Sequence, residues 1–296
     1  MKKTSPARLF FPVILLSFLT SISIYSAEKP VKKDLSYLTK ITRLGQQKSG
    51  ILSFQDMETT FSSGIFTKNN KALSLPPERK LIGSINVFVI YKNGKLYLID
   101  AGMGHPGGKT AFLLEKLDVK KEKVHAVLLT HVHPDHIGGL VTGDNKAVFP
   151  GAIIYLSKNE YDAVSSPKSP MYHAFARVKN AYGNRITPFT AGDKVENIFQ
   201  SRFAPGHTPG HTLYQYGKIL FIGDLLHSAQ YQFDDPEICA SFDMNKKLAI
   251  KYRKKFLSYA SENDLLIAGA HIPFPGTGKV QKKENNKGYS FSSCKE

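Results

Sequence analysis

Apolar residues along this chain come in short runs that switch between two periods. SINVFVIY (84–91) and KLYLID (95–100) read as strands, and the Asn93-Gly94 step between them is a strong hairpin signal. These two are expected to be antiparallel neighbours. Residues Gly107 to Leu117 place Phe112, Leu113 and Leu117 at helical spacing, and VHAVLLT (124–130) follows as a compact buried strand. A second round repeats the scheme. AIIYL (152–156) predicts a strand and SKNEYDAV (157–164) a helix, with Ser157 and Glu160 in capping-box spacing at its start. IFQSRFA (198–204), HTLYQYG (211–217) and KILFIGD (218–224) predict three more strands. Lys246 to Tyr259 predicts an amphipathic helix and DLLIAGA (264–270) a last buried strand. Strands and helices mixed in this order imply two sheets covered by helices, a layered α/β or α+β sandwich.

The ends are patterned differently. Residues 1–27 put Lys2, Lys3 and Arg8 ahead of the apolar stretch Leu9 to Leu19 and turn small and polar up to Ala27, the three-part layout of a secretory signal peptide. An uncleaved anchor is the competing reading, because Tyr25 fits a small-residue cleavage rule poorly. Residues 28–50 form a charged, weakly patterned approach segment, 51–280 the globular domain, and 281–296 a polar tail expected to fray. No later stretch reaches the roughly 18–20 apolar residues that a spanning helix needs. The body of the protein is therefore expected in the periplasm or outside the cell, without stable membrane insertion once the leader is removed.

A length of 296 residues suits one large domain or two small ones, and 42% hydrophobic content is ordinary for a globular protein. The net charge of +16 admits anionic partners. Its lysines are scattered, as in Lys120, Lys121 and Lys123 or Lys246 and Lys247, with no aromatic platform among them. A solvated basic face is the expected reading, with no nucleic-acid partner. Cys239 and Cys294 match no metal-type spacing, and sequence leaves open both their pairing and the oligomeric state, a homodimer included.

Chemistry concentrates where the apolar runs stop. VHAVLLT runs straight into His131, His133, Asp135 and His136, with Pro134 stiffening the loop and Gly138-Gly139 letting the backbone approach whatever is bound. A lone histidine is usually structural, but three with an aspartate at a buried strand end would strand polar groups, and a divalent cation satisfies them. Three other runs end alike: IFQSRFAPGHTPGHT brings His207, KILFIGD ends in Asp224 and DLLIAGAH ends in His271. Counted together they offer His131, His133 and His207 to one ion and Asp135, His136 and His271 to another, with Asp224 able to bridge. This is the composition of a two-metal hydrolytic centre.

These residues resemble the metallo-β-lactamase superfamily. The HxHxDH loop stands as HVHPDH, the third histidine as APGHTPGH, the bridging aspartate as FIGD and the final histidine as AGAH. The resemblance implies an α+β fold, the four-layer αβ/βα sandwich. LIDAG is similar to the family's Asp-Thr-Gly strand end, with Ala101 for Thr, so Asp100 is expected to orient the histidine loop, capping of the next helix being the other reading. FIGDLLHSAQYQFDDPEICASFDMNKKLAIKYRKKF, with LLIAGAHIPFPGTG after it, resembles the methyl parathion hydrolase-like branch, which includes lactone and aryl-ester hydrolases. True β-lactamases carry Cys or Ser where this chain has Asp224. The second histidine of GHTPGH, His211, supports the turn in that family. His227 stands three residues past Asp224, where acyl-homoserine lactone hydrolases place a tyrosine that contacts the substrate carbonyl.

The expected function is an exported dinuclear hydrolase in which two divalent ions lower the pKa of a shared water for attack on a lactone or aryl ester. Zinc is the default metal, with manganese, iron or cobalt compatible. Asp135, Asp224 and His227 are the expected catalytic residues, His227 by hydrogen bonding an oxyanion or protonating an alkoxide. Alternatives are a phosphotriester hydrolase, a nuclease and a metal-binding homologue without turnover.

Overall fold

The computed structural model describes residues 41–43, 50–73, 81–284 and 287–294. The leader expected over 1–27 and most of the 28–50 approach segment lie outside them. In chain order the first half contributes β1 (Ile41–Arg43), β2 (Gly50–Phe61), β3 (Phe66–Lys68), β4 (Lys71–Ala72), β5 (Leu81–Lys92), β6 (Lys95–Ile99), α1 (Thr110–Lys116), β7 (Val124–Leu128), α2 (Pro134–Ile137), β8 (Ile153–Ser157), α3 (Lys158–Val164), α4 (Tyr172–Tyr182) and β9 (Ile186–Phe189). The second half adds β10 (Lys194–Val195), β11 (Phe199–Phe203), β12 (Thr212–Tyr216), β13 (Ile219–Gly223), α5 (Ala229–Gln232), β14 (Cys239–Ala240), α6 (Lys246–Glu262), β15 (Leu266–Gly269), β16 (Thr277–Lys282) and β17 (Tyr289–Ser293).

Two seven-stranded sheets result, ordered β1-β2-β5-β6-β7-β8-β9 and β10-β11-β12-β13-β15-β16-β17, beside a small sheet β14-β3-β4. The period-2 alternation of each strand decides the layers. In β5, Phe88 and Ile90 point into a cluster shared with Phe199, Tyr214 and Phe221 of the other sheet, while Val87 and Val89 point outward onto a cluster with Leu113, Leu114, Phe175 and Tyr182 of α1 and α4. In β13, Ile219 and Phe221 face the same inner cluster, and Leu220 and Ile222 pack outward with Phe256 and Leu257 of α6. Helix, sheet, sheet, helix is the four-layer αβ/βα sandwich. Each fully buried side chain of this kind contributes about 1.5–3 kcal/mol, so the inner cluster is a main source of cohesion between the sheets.

The expected hairpin is present, with Tyr91 opposite Leu96 and Lys92 opposite Lys95. Three expectations need correction. DLLIAGA is not the last strand, and the tail expected to fray carries the end of β16 and all of β17, which pair antiparallel from Gly278 opposite Ser293 to Lys282 opposite Tyr289. Gly138 and Gly139 make room for protein: a Cβ there would fall 2.0 Å from the carbonyl oxygens of Met103 and Ala101. Both cysteines are free.

Strands β6, β7 and β8 run parallel, as do β13 and β15, so their C-terminal ends open on one edge of the sandwich. The sheets are tied together there. Thr212 N–H donates to Thr130 O at 3.0 Å, Tyr214 Oη to Leu129 O at 2.8 Å, and Asn86 N–H to Ala270 O at 2.8 Å.

Candidate metal centre

That edge collects the polar residues that terminate the apolar runs. Past β7 come His131 and His133, and Pro134 opens the four-residue α2, where its missing N–H costs nothing, so that Asp135 and His136 sit in the first turn. His207 follows β11, Asp224 caps β13 and His271 follows β15. All seven residues predicted from sequence meet here. Candidate ligand atoms of His131, His133, His207 and Asp224 lie within 4.8 Å of one another, and so do those of Asp135, His136 and His271.

Within the first group, His207 Nε2 is 2.9 Å from His133 Nδ1 and 3.2 Å from His131 Nε2, and His131 Nε2 is 2.9 Å from His133 Nδ1. Asp224 spans both groups. Its Oδ2 lies 3.2 Å from His207 Nε2 and 3.1 Å from His271 Nε2, and its Oδ1 lies 3.0 Å from His136 Nε2. Asp135 Oδ2 closes the second group at 3.3 Å from His271 Nε2.

Two observations test whether a cation fits. The outward ring nitrogens are taken: His136 Nδ1 by Asp100 Oδ2 at 2.8 Å, His207 Nδ1 by Asp243 Oδ1 at 3.1 Å, His271 Nδ1 by Ser84 O at 3.0 Å and His131 Nδ1 by Thr130 Oγ1 at 3.0 Å. Outer partners that accept the Nδ1 proton leave the Nε2 lone pair facing inward, the arrangement a metal-binding imidazole needs. Second, His136 Nε2 and Asp224 Oδ1 are buried without a hydrogen-bond partner although they face one another. Buried orphan atoms of this kind are uncommon. Separations near 3 Å match the edges of a tetrahedron whose metal–nitrogen bonds are about 2.0–2.1 Å. The residues fit divalent ions in both groups.

Burial alone would push the Asp224 carboxyl up, yet the surrounding imidazoles of His136, His271, His131 and His207 hold it well below the ordinary carboxylate range. His227 is buried, which lowers its pKa against the pull of Asp224. Its Nε2 sits 3.1 Å from Asp224 Oδ2, its Nδ1 has no partner, and its ring stacks on that of His271 with centroids 5.1 Å apart. Phe61 meets His271 edge-on and Phe242, 43% exposed, lies against His227. His211 joins neither group, and His105 and His173 are exposed elsewhere.

Asp100 turns out to serve the histidine loop rather than the following helix. It accepts from Thr130 N–H and Thr130 Oγ1, each at 2.8 Å, as well as contacting His136. The helix start is held by Asp56, which sequence reading passed over: its carboxylate accepts from Met103, Lys109 and Thr110 N–H at 2.7–2.9 Å. Asp243, Arg253 and Asn86 were also passed over, and Glu160 was read only as part of a helix start. Only Glu160 carried a signal, and it pointed to the wrong partner: Ser157 Oγ does accept from Glu160 N–H at 3.2 Å, but the Glu160 carboxylate does not return to Ser157.

An αβ/βα sandwich with two imidazole and carboxylate groups at one strand edge is the build of a metal-binding protein. Residues 82–271 match the metallo-beta-lactamase superfamily, and the chain belongs to that family. Among solved structures it is similar to AbOPH, a hydrolase in the beta lactamase superfamily, at 28% identity and a TM-score of 0.78 over 87% of this chain and 98% of that one. It also shares the fold of AidC, a dizinc quorum-quenching lactonase, at 24% identity and a TM-score of 0.75 over 86% of this chain and 98% of that one. A hydroxyacylglutathione hydrolase of Buchnera aphidicola subsp. Acyrthosiphon pisum is 29% identical over 174 residues, 59% of this chain and 56% of that protein. The chain thus spans about half the length of the curated relatives it matches.

Proposed function

We propose that this protein is an exported, two-metal hydrolase of neutral cyclic or aryl esters. The observation that carries the reading is Asp224, whose carboxylate reaches both groups of imidazoles, Oδ2 lying between His207 and His271 and Oδ1 against His136, within 3.0–3.2 Å. His131, His133 and His207 would hold one ion, Asp135, His136 and His271 the other, and Asp224 both. Zinc suits the histidine-rich set, and manganese, iron and cobalt are compatible with its carboxylates. Bound there, the ions supply Lewis acidity and an acidified water to a scissile carbonyl.

The chain's own residues do the rest. Asp135, whose side chain is 20% exposed, is the most open of the carboxylates at the centre. His227 keeps one proton on a neutral ring beside Asp224 and can hydrogen bond a developing oxyanion, or pass that proton to a departing alkoxide while its other nitrogen takes one originating from the attacking water, so that the ring ends neutral. Phe61 and Phe242 flank the histidines with ring faces and edges, which suits an apolar acyl or aryl group and offers no charge to an anionic one. Residues 1–27 supply the export signal, placing the mature protein in the periplasm or outside the cell.

Protein prepared without chelator, analysed for metal and assayed side by side on lactones, aryl esters, phosphotriesters, an acyl-glutathione thioester and RNA, tests the reading. About two ions per chain, as in two-metal sites, with fastest turnover on a lactone or aryl ester are expected. One ion at most after reconstitution, or a preference for the phosphotriester, thioester or RNA, overturns it. Recovery of the full-length chain from its host's cytoplasm overturns export.

A further inference from the structure

Glu160 lies in the first turn of α3 and is 1% exposed. Among the described residues it forms no ion pair with a lysine or arginine. Its carboxylate is satisfied by neutral donors from two loops: Oε1 accepts from Val132 N–H at 3.0 Å, and Oε2 from Thr208 Oγ1 at 2.8 Å and from Gly210 N–H at 2.9 Å. Val132 stands between His131 and His133, and Thr208 directly follows His207. The two loops leave strands of different sheets, β7 and β11; Thr212 N–H to Thr130 O joins them through backbone, and the Glu160 carboxylate joins them again beside the histidines.

Packing around this carboxylate is tight. Ser157 Oγ donates to Gly210 O at 2.6 Å, and a Cβ on Gly210 would lie 2.0 Å from Glu160 N, so the start of α3 and the Gly206 to His211 turn interlock only with glycine at 210. The other histidines are anchored elsewhere, His136 by Asp100 and His271 by Ser84 O.

We propose that Glu160 is a positioning residue that sets the spacing of His131 and His133 against His207, and so controls one of the two metal sites and not the other. The proposal rests on the two-metal reading above. An isolated loop anchor would affect thermal stability and leave the relative affinities of the two sites alone. A site-selective spacer changes their ratio.

The test is ¹¹³Cd NMR of the cadmium-loaded full mature chain with chelator competition, the two resonances being assigned with His271→Ala, which removes a donor of the second site alone. In Glu160→Gln the amide NH₂ must face Val132 N–H or Gly210 N–H, so a donor meets a donor. The resonance of the His131, His133, His207 site is expected to shift, with affinity there falling about tenfold, the low end for loss of an outer partner, while the other ion changes less than twofold. Thr208→Val, which removes one of the three hydrogen bonds and keeps the shape, is expected to shift the same resonance by less, and carries the test if the glutamine variant does not fold. Equal weakening of both ions, or of neither, overturns the role of Glu160 while leaving the two-metal reading intact. Fewer than two resonances in the wild type overturns both.

Discussion

Asp224 N–H donates to Nε2 of His211 at 3.1 Å, and the opposite ring nitrogen of His211 pairs with Ala204 O at 3.2 Å. Both nitrogens of this imidazole are therefore spent on backbone, and burial holds its pKa down to about 3, so it stays neutral. It supports Asp224 from behind. His211→Ala leaves a buried N–H without a partner, which costs about 1–3 kcal/mol, and is expected to lower the melting temperature while two ions remain. Asp224→Asn is expected to keep the fold and lose an ion, because an amide bridges poorly. Calorimetry with metal analysis of both variants checks this; equal metal loss would make His211 a ligand.

Arg253 is buried among acceptors. Its guanidinium donates to Leu225 O at 2.6 Å, Pro236 O at 3.0 Å, Ile238 O at 2.6 Å and Asp243 Oδ2 at 3.2 Å. Asp243 in turn holds His207 Nδ1. Breaking a buried pair by removing one partner costs about 3–5 kcal/mol because the other charge is left uncompensated. Asp243→Ala is expected to lose that much in urea unfolding of the metal-free protein. A loss below about 1 kcal/mol, the range of surface pairs, would show that the pair is not the anchor described.

The seven residues that meet at the strand edge were legible because they cluster where apolar runs end, and a polar group at a buried strand end has few other uses. The inter-sheet core was legible for the same reason in reverse, through the alternation of β5 and β13. What holds the seven in place was not legible. Asp56 sits at a break in the pairing of β2 with β5 between Gln55 and Met57, which disrupts the period-2 pattern that would have revealed the strand. Glu160 satisfied a local helix-start pattern, and only the meeting of two distant loops redirects its carboxylate. Asp243 carries no periodic signal, and Asn86, inside the predicted strand SINVFVIY, gives no sign in the sequence of the distant carbonyls it donates to. The end of β16 and all of β17 were read as a tail because their polar residues lie on an edge where one face meets solvent.

A second tie between the sheets lies on the side away from the metal centre. Glu196, in the turn between β10 and β11, accepts from Tyr155 Oη at 2.7 Å and pairs with His125 at 2.9 Å and Lys95 at 3.3 Å, all three on the first sheet. Burial opposes its ionisation, but these partners outweigh it and hold the carboxyl below its ordinary value. A lowered folded-state pKa gives stability that is present above the unfolded value, about 4.3, and is lost as pH falls through the folded value. Glu196→Gln is expected to unfold at lower urea than wild type at pH 7, with the gap narrowing as pH falls below about 4.3. A gap that stays as wide or widens there would assign the effect to packing.

The last expectation concerns substrate choice. Acidified water attacks carbonyl and phosphoryl centres by similar electrostatics, so the metal centre alone does not choose between them. The choice falls to groups that treat the two leaving groups differently. His227, held by Gln232 Oε1 through its backbone N–H at 2.6 Å and by Asp224 through Nε2, lies directly beside the proposed centre. A lactone expels an alkoxide that stays tethered to the product and is basic enough to need a proton. A nitrophenolate leaving a phosphotriester is far less basic and gains little from one. His227→Leu is therefore expected to lower lactone turnover by about 10²–10⁴-fold, the usual span for loss of a general acid, to lower phosphotriester turnover far less, and to leave metal content unchanged. Steady-state kinetics on both substrates with metal analysis of the same preparations checks it. An equal fall in both activities would reduce His227 to packing, and loss of an ion would make it a ligand.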